Sequence, residues 1–418
     1  MKRIAGFVFL LLTIFGVCAC GENTQKNDGQ ATAETVTETP SVLSGAAVSA
    51  SPIPIDPDDA YGQAEEMVKN MTLEQKIGQM FLVDLYQLDQ RRTLDGTITE
   101  VTRTMGEAIR RYNIGGVFLT EENIKNKEQG QQLIRDLQAE AVTGGSLYAA
   151  VEEDGGGNNS ISSRVAGLND TGYITPGEMA VDMSAKQVYQ AGKNIGSELT
   201  DMGVNLNLSP VADIGNKNNP EYSRRCLGTE VEQVCSLLES YVKGMREGGL
   251  AVTLKYFPGI GNVPGNYKEE VLENKDSLMS IRNNNLLTYQ SGIAAGADCV
   301  MVGSVSASEV TVKKIPAFMS KDIITKLLRE ELNFEGVVMS SPFDDNVIRN
   351  NYTYEFAVVE AVKAGCDMIV LPGELEKCYQ ALLSAVKEGK IDEKMIDSSV
   401  CRILQNKIQR GILMLDKK

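Results

Sequence analysis

The chain has 418 residues and a formal net charge of −15 at pH 7, with 56 acidic against 41 basic side chains. This excess of negative charge argues against nucleic acid as a partner. The sequence contains no histidine, so the side chain that most often transfers protons at neutral pH is absent. A zinc site would need thiolates and carboxylates alone, and we expect neither a metal nor a cofactor.

The N-terminus has the pattern of an export signal. Lys2 and Arg3 precede an apolar run at residues 4–17, which is typical of a signal peptide and short for a bilayer span. The run ends in the sequence VCACG, which resembles a bacterial lipobox. We therefore predict a lipoprotein signal over residues 1–20, with Cys20 as the acylated residue and a lipid anchor in the membrane. The alternative is an ordinary signal peptide without lipid, and both readings predict an extracytoplasmic protein.

A change of composition separates this signal from the folded part. Residues 21–57 are rich in Gln, Asn, Thr, Ser and Pro and hold almost no large apolar side chains. Such a segment cannot build a core, so we predict a flexible tether. The folded domain is expected over residues 58–418, a length that one barrel can occupy. Its six cysteines are scattered and favour no particular disulfide pairing.

Short apolar or β-branched runs alternate with longer segments of helical period in the folded part. This alternation is typical of parallel strands joined by crossover helices. Eight repeats predict a closed (β/α)8 barrel of the TIM type, with an open doubly wound sheet as the alternative. The predicted strands are residues 77–85, 114–120, 147–152, 205–213, 250–257, 299–305, 336–341 and 368–372. The predicted helices include residues 185–202, 230–247, 320–332 and 374–387.

Polar residues end several of the predicted strands, and active sites in such barrels are built at those ends. The first strand ends near Asp84 and the fourth in Asp213. The third ends in EEDGG from Glu152, the fifth in KYFPGIG from Lys255, and the seventh in SSPFDD from Ser340. These segments contain the candidate site residues.

The strand ends resemble the N-terminal barrel domain of glycoside hydrolase family 3, in particular its β-N-acetylhexosaminidases. The motifs that carry the resemblance are AAVEEDGG from Ala149, NLNLSPVADI from Asn205, LKYFPGIG from Leu254, FEGVVMS from Phe334 and AVKAGCDMIVLPG from Ala361. Each motif is weak alone, but together they cover nearly the whole folded part. The resemblance implies a retaining glycosidase, in which a carboxylate attacks the anomeric carbon and an acid protonates the leaving oxygen. It also implies an N-acetylglucosamine-containing glycan, such as a cell-wall peptidoglycan fragment, as the partner.

The acid/base positions that the resemblance implies are replaced. The family reads KHFPGHG and then Asp-Ser-His after the fifth strand, whereas this chain reads KYFPGIG and then Asn266, Tyr267 and Lys268. The amide of Asn266 does not ionise, and a lysine with an ordinary pKa of about 10.4 is a poor acid at neutral pH. Glu269 or Glu270 is the alternative candidate for the acid. The competing interpretation is that these two glutamates belong only to a solvated loop.

The nucleophile position is replaced as well. The family has an aspartate after the seventh strand, and an ungapped match puts Ser341 there. A serine without an adjacent base is a weak nucleophile. Asp344 or Asp345 supplies the carboxylate instead if residues 341–343 form a local bulge.

The sugar-binding positions are better kept. Arg225 and Lys255 match the family's cationic contacts to the glycan, and Asp213 matches its aspartate after the fourth strand. Glu152 stands where the family has the aspartate that binds sugar hydroxyls. The chain has no tryptophan, so the candidates for stacking on a sugar are Tyr256, Tyr267 and Phe257. The alternative is that these charged residues form only an ion network at the barrel mouth.

Loss of nucleophile and acid/base together leads to the hypothesis of a pseudoenzyme, because either loss alone costs several orders of magnitude in rate. Such a barrel would bind a glycan or a protein partner at the cell surface. The alternative is an active retaining β-N-acetylglucosaminidase that uses Asp344 or Asp345 as a displaced nucleophile.

Overall fold

A computed structural model describes residues 59–89, 97–141, 146–157, 160–163, 165, 167–168, 172–261, 263–311 and 314–413. The predicted signal, Cys20 and the tether lie outside the described residues. No helix of the described part is both long enough and apolar enough to span a membrane. The six cysteines of the folded part are free thiols.

Eight parallel strands form the central sheet. They are β1 (Phe81–Asp84), β2 (Gly116–Phe118), β3 (Tyr148–Val151), β4 (Leu206–Asn207), β5 (Ala251–Phe257), β7 (Cys299–Val302), β9 (Val337–Ser340) and β10 (Ile369–Val370). Their order is β10-β1-β2-β3-β4-β5-β7-β9, and a parallel bridge between Met339 and Met368 brings the two ends of this order together. The predicted (β/α)8 barrel is therefore confirmed, and the open sheet is not what forms.

Each of the eight predicted strands contains one strand of the barrel. The first begins later than expected, because residues 77–79 complete a helix instead. A second, two-stranded parallel sheet was not predicted and consists of β6 (Glu273–Asn274) and β8 (Ser306–Ala307). This small sheet joins the loop after β5 to the loop after β7.

Helices surround the barrel and return the chain from one strand to the next. They are α1 (Ala60–Lys69), α2 (Leu73–Gln79), α3 (Leu85–Leu88), α4 (Arg103–Tyr112), α5 (Lys127–Ala139), α6 (Pro176–Asp182), α7 (Ala185–Met202), α8 (Pro220–Ser223), α9 (Val231–Glu247), α10 (Leu278–Asn283), α11 (Asn285–Ala294), α12 (Asn346–Arg349), α13 (Tyr354–Ala364), α14 (Leu375–Lys387) and α15 (Glu393–Gln409). The helix predicted at residues 320–332 forms with wider π-helical turns over Asp322–Glu331. The other predicted helices correspond to α7, α9 and α14.

Glycines let α7 and α9 pack closely. A Cβ on Gly196 would lie 2.6 Å from Met245 O, and one on Gly248 would lie 2.6 Å from Gly196 Cα. A larger residue would force the two helices apart, because neither obstacle is a flexible side chain. The strands that follow these helices, β4 after α7 and β5 after α9, are therefore attached to a tightly fixed helix pair.

The last helix closes the amino end of the barrel. Lys407 on α15 donates to Gln79 Oε1 at 3.0 Å just before β1, and Tyr148 at the start of β3 donates to Asn406 Oδ1 at 2.7 Å. Asn406 in turn donates to Asp298 just before β7. Burial lowers the pKa of Lys407 to about 7. With this end filled by side chains of α15, the carboxyl end is the one left for a site.

Candidate functional site

Four charged side chains meet where β3 and β5 end. Lys255 Nζ lies 2.6 Å from Glu152 Oε1 and 3.0 Å from Asp154 Oδ1. Arg225 pairs with the same two carboxylates, with Nη2 2.5 Å from Glu152 Oε1 and Nε 2.7 Å from Asp154 Oδ2. Lys255 and Asp154 are each 1% exposed, whereas Glu152 is 26% exposed. Glu152 is therefore the most exposed member of this cluster.

The two cations keep Glu152 ionised. Burial by itself would raise the pKa of Glu152, but the charges of Lys255 and Arg225 outweigh burial and lower the pKa to about 2. A carboxylate held in this way accepts hydrogen bonds at every physiological pH. It can accept from the hydroxyl groups of a sugar.

The turn after β3 fixes Glu152 by using its neighbour as an anchor. Glu153 is fully buried and accepts hydrogen bonds from the N–H groups of Gly155, Gly156 and Ser162. Gly155 and Gly156 have φ angles of 114° and 123°, which residues other than glycine rarely adopt. The EEDGG segment therefore turns Glu153 inward while Glu152 joins the cluster.

Asp213 has a different surrounding from the one expected of a sugar contact. Its carboxylate is fully buried and accepts hydrogen bonds from Ile214 N–H, Ile260 N–H, Asn285 and Tyr222. Burial raises its pKa to about 6. Asp213 ties the end of β4 to the loop after β5, and the ion network at the mouth contains Asp154 where the sequence suggested Asp213.

The loop after β5 is held to the barrel mouth by Tyr267. Its hydroxyl accepts from Arg225 Nη1 at 2.9 Å, and its ring packs against Tyr256 and Tyr222 with centroids 5.1 and 5.8 Å away. Its carbonyl accepts from Ser304 Oγ. The ring of Tyr256 is therefore already in contact with Tyr267. Its stacking on a sugar stays a prediction.

The two residues at the replaced acid/base positions, Asn266 and Lys268, flank Tyr267 in the same loop. Asn266 is exposed and accepts from the Lys268 N–H at 3.0 Å, so its amide shapes the turn. Lys268 O accepts from Val347 N at 2.7 Å. The Lys268 side chain lines the cavity at the barrel mouth. Burial acts to lower the pKa of Lys268, but the neighbouring Tyr267, Glu152 and Asp345 together raise it above its usual value. Lys268 is therefore a cation at neutral pH and not a general acid.

Ser341 at the nucleophile position is not presented to a substrate. The residue is 1% exposed, and its Oγ donates to Val302 O at 3.0 Å. Its hydroxyl thus bonds to the main chain of β7 and not to a carboxylate. The neighbouring Ser340 accepts from Val370 N–H in the same buried layer.

Both candidate replacement carboxylates line a narrow cavity at the barrel mouth. The cavity has a volume of about 140 Å³. Its charged lining residues are Glu152, Lys255, Lys268, Asp344 and Asp345. The structure therefore brings the predicted alternative nucleophiles to the same place as the predicted sugar-binding residues.

Asp345 has an unusual protonation equilibrium. Burial raises its pKa to about 7, with the charges of Asp344 and Glu152 adding to the effect and that of Lys268 opposing it. Asp84, at the end of β1, also has its pKa raised to about 6 by burial and by the charge of Asp344. Carboxyl groups with raised pKa values at a cavity are a feature of catalytic acids, although ion networks also produce them.

A second, wider cavity opens on the other side of Arg225 and Lys268. Its volume is about 890 Å³. It is lined by main chain and polar side chains of the loops after β3, β4 and β5, including Thr175, Asn218, Asn219, Glu221, Arg224, Arg225, Asn266, Tyr267 and Lys268. Lys268 is a charged side chain common to both cavities.

Three residues of the site are not among those that the sequence predicts. Asp154 belongs to the strand-end motif but is not a predicted sugar-binding residue, yet it pairs with both cations. Tyr222 and Asn285 come from α8 and α11, and both hold Asp213. The acidic run from Glu152 to Asp154 is a sequence signal that could have identified Asp154. No local sequence pattern marks Tyr222 or Asn285.

The part of the chain that the structure describes shows no group of three or more Cys, Asp or Glu side chains placed to hold a metal ion. At the ends of β3 and β5, the carboxylates of Glu152 and Asp154 are paired with Arg225 and Lys255.

A parallel barrel with an Arg–Lys–Glu–Asp cluster at its carboxyl end defines the class of the protein. Residues 72–406 match the family described as the glycosyl hydrolase family 3 N terminal domain. This match covers most of the chain, and the chain belongs to that family. The family resemblance expected from the sequence is confirmed.

Two curated relatives of this chain are named as a beta-hexosaminidase and a beta-N-acetylglucosaminidase/beta-glucosidase. The chain is 26% identical over 366 residues to the beta-hexosaminidase A of Pseudoalteromonas piscicida, covering 81% of this chain and 61% of the relative. It is 24% identical over 376 residues to a beta-N-acetylglucosaminidase/beta-glucosidase of Cellulomonas fimi, covering 87% and 62%. The chain thus spans about six tenths of the length of these two relatives.

Solved structures agree with the fold. A family 3 beta-N-acetylglucosaminidase from Paenibacillus sp. superposes with a TM-score of 0.72 at 29% identity, covering 83% of this chain and 65% of that one. A beta-N-acetylhexosaminidase from Beutenbergia cavernae superposes with a TM-score of 0.69 at 25% identity, covering 80% and 98%. The fold of this chain is thus similar to the folds of these two proteins.

Proposed function

We propose that this chain is a lipid-anchored, extracytoplasmic family 3 barrel that binds an N-acetylglucosamine-containing glycan, such as a peptidoglycan fragment, without hydrolysing it. The proposal includes a signal over residues 1–20, a tether over 21–57 and the barrel over 58–418. The names of the relatives support the glycan class. The single observation that carries the lack of hydrolysis is the buried hydroxyl of Ser341.

The surroundings of Ser341 argue against nucleophilic attack from that position. To reach a sugar, Oγ would have to give up its hydrogen bond to Val302 O and leave a fully packed layer. The acid/base loop offers no compensation, because Asn266 is exposed and Lys268 stays protonated. Loss of a catalytic nucleophile or base lowers kcat by roughly 10⁴-fold or more in well-studied enzymes.

Binding does not depend on those two positions. Arg225 and Lys255 hold the Glu152 carboxylate in place before any ligand arrives, so little ordering cost opposes a hydrogen bond from a sugar hydroxyl. Glu152 lines the narrow cavity. A preorganised anionic acceptor at the carboxyl end of a barrel therefore supports glycan binding.

Calorimetric titration tests the binding. The full chain, purified in detergent, is titrated with a β-linked N-acetylglucosamine disaccharide. We expect saturable binding that weakens about tenfold in Glu152→Gln, because a charged hydrogen-bond acceptor becomes neutral. Glu239→Gln on α9 is the matched control and should bind like the natural chain. If no glycan binds, the site is an ion network and a protein partner becomes the better proposal.

An active hydrolase is the second candidate, because Asp344 and Asp345 both line the narrow cavity beside Glu152. In that case one of these carboxylates attacks the anomeric carbon. This candidate requires turnover of an aryl β-N-acetylglucosaminide that disappears in Asp344→Asn or Asp345→Asn.

Membrane attachment has its own test. Fractionation of the producing cells should place the natural chain with the membranes. The Cys20→Ser variant should either appear in the soluble extracytoplasmic fraction or keep its signal uncleaved. Equal release of both chains by salt would contradict a lipid anchor.

A further inference from the structure

We propose that the exposed ring of Phe356, supported by Tyr352, is a stacking platform for the outer sugars of a neutral oligosaccharide whose terminal sugar occupies the narrow cavity. The inference rests on the proposed glycan-binding function and extends it to the length of the ligand. It assigns a role to a surface at the start of α13, whose two aromatic residues line neither the narrow nor the wider cavity.

The narrow cavity is too small for more than the end of a glycan. Its volume is about 140 Å³, whereas sites that enclose a drug-sized ligand measure roughly 300–1,000 Å³. It holds one sugar at most, because each further sugar adds a whole ring. The remaining sugars of a longer chain therefore have to lie on the surface around the cavity.

Phe356 is an exposed aromatic residue on that surface. It is 51% exposed and lies in the first turn of α13, which follows β9 and therefore begins at the carboxyl end of the barrel. Tyr61 is the other large aromatic side chain that is well exposed among the described residues, and it lies on α1, which packs against α15 at the amino end. Phe356 is thus the exposed ring on the same end as the cavity.

The ring of Phe356 is held by its neighbours. It lies nearly parallel to the ring of Tyr352, at an angle of 9° and with centroids 6.0 Å apart, which is a favourable arrangement for aromatic pairs. The Phe356 N–H donates to the hydroxyl of Thr353, the N-cap of α13. Because the ring is supported before a ligand arrives, stacking a sugar on it carries little cost in side-chain entropy.

A continuous rim connects the narrow cavity to this ring. Asp344 lines the cavity and is close to Arg349, whose charge opposes the rise that burial causes in the pKa of Asp344. Burial also raises the pKa of Tyr354 at the start of α13, and the charges of Arg349 and Asp344 act on that hydroxyl too. A glycan that leaves the cavity past Asp344 therefore meets Arg349 and then the aromatic pair.

The chemistry of this rim fits a neutral sugar. The C–H face of a sugar ring removes apolar surface from water when it stacks on an aromatic side chain, and the hydroxyl groups at its edge need hydrogen-bond partners. Arg349 and Asn350 are exposed on the preceding turn and supply donors. An aromatic pair flanked by polar residues is much smaller than the roughly 800 Å² that a stable protein interface buries on each partner, which favours a sugar over a protein as the occupant.

The first test compares two lengths of one glycan. The full chain in detergent is titrated with N-acetylglucosamine and with its β-1,4-linked tetrasaccharide. Phe356→Ala should weaken binding of the tetrasaccharide about tenfold and leave binding of the monosaccharide unchanged, because only the longer ligand reaches the ring. Phe356→Tyr should keep most of the affinity for the tetrasaccharide. Tyr61→Ala, which removes an equally exposed ring at the opposite end, is the matched control and should bind both sugars like the natural chain.

The second test uses the absence of tryptophan from the chain. Phe356→Trp introduces a single indole, so its fluorescence reports contact at this position alone. The tetrasaccharide should shift the emission to shorter wavelength by covering the indole, whereas the monosaccharide should leave the emission unchanged. In the control Tyr61→Trp neither sugar should change the emission.

Three results would overturn the platform: no loss of tetrasaccharide affinity in Phe356→Ala, an equal loss for both sugars, or an emission of Phe356→Trp that the tetrasaccharide does not change. In each case, binding of the monosaccharide by the natural chain would leave the proposed function intact. If neither sugar binds the natural chain, both this inference and the proposed function are overturned.

Discussion

The buried ion cluster makes Arg225→Met the most informative perturbation of stability. The substitution removes the guanidinium that pairs with Glu152 at 2.5 Å and Asp154 at 2.7 Å. Breaking a buried charge pair by removing one partner costs about 3–5 kcal/mol. Lys255 still contacts both carboxylates, so we expect the lower end, about 3 kcal/mol. The lost hydrogen bond to Tyr267 adds about 1 kcal/mol.

Urea unfolding measures this change. The chain has no tryptophan, so far-UV circular dichroism is the suitable signal, and the midpoint should fall by about 1 M urea or more. Arg224→Met, at the exposed neighbour, should stay within about 0.5 kcal/mol of the natural chain. A loss below about 1 kcal/mol in Arg225→Met would refute the reasoning, because the cluster would then be no more than a solvated ion pair.

Three further substitutions test other parts of the site. Asp213→Ala should destabilise the fold by about 3 kcal/mol in the same urea assay, because four donors, three of them buried, lose their acceptor; a change under 1 kcal/mol would contradict its role in holding the loop. Ser341→Asp should lose about 2–4 kcal/mol of stability and gain no glycosidase turnover, because its side chain faces Val302 O in a buried layer; any turnover in this variant would show that the position does reach a sugar. Asp345→Asn tests the pH dependence of stability. The folded pKa of Asp345 is about 7 against an ordinary value of about 3.9, so the folded state binds more protons between these values and its stability falls as pH rises from about 4 to 7. The decrease in unfolding free energy between pH 5 and pH 7 should be smaller in Asp345→Asn by about 1–2 kcal/mol, and equal decreases in both chains would show that Asp345 is well solvated.

Much of the barrel could be read from the sequence because its strands are continuous apolar runs. Residues 250–257 and 299–305 contain β5 and β7, since strands buried on both faces need apolar side chains throughout. The same property misplaced the start of β1, because Ile77 is buried as part of α2 and an apolar run does not distinguish a buried helix end from a strand. The sheet of β6 and β8 has two residues in each strand, too few to give an alternating pattern.

The site was predictable where a residue acts through its place at a strand end. Glu152 and Lys255 follow from the barrel rule, and the structure brings them together at 2.6 Å. Asp213 obeys the same rule but is buried, because Asn285 comes from a helix distant in sequence and supplies a donor that no local pattern reveals. Which carboxylates face a cavity depends on loop conformation, and that is a tertiary property.

The central claim is that the mouth of this barrel binds a glycan without cleaving it. The most direct measurement is release of the aryl group from an aryl β-N-acetylglucosaminide by the full chain, with the beta-hexosaminidase A of Pseudoalteromonas piscicida as the positive control. We predict turnover at least about 10⁴-fold below that control, unchanged by Asp344→Asn or Asp345→Asn. Turnover within about 100-fold of the control that disappears in either variant would contradict the claim and establish a displaced nucleophile.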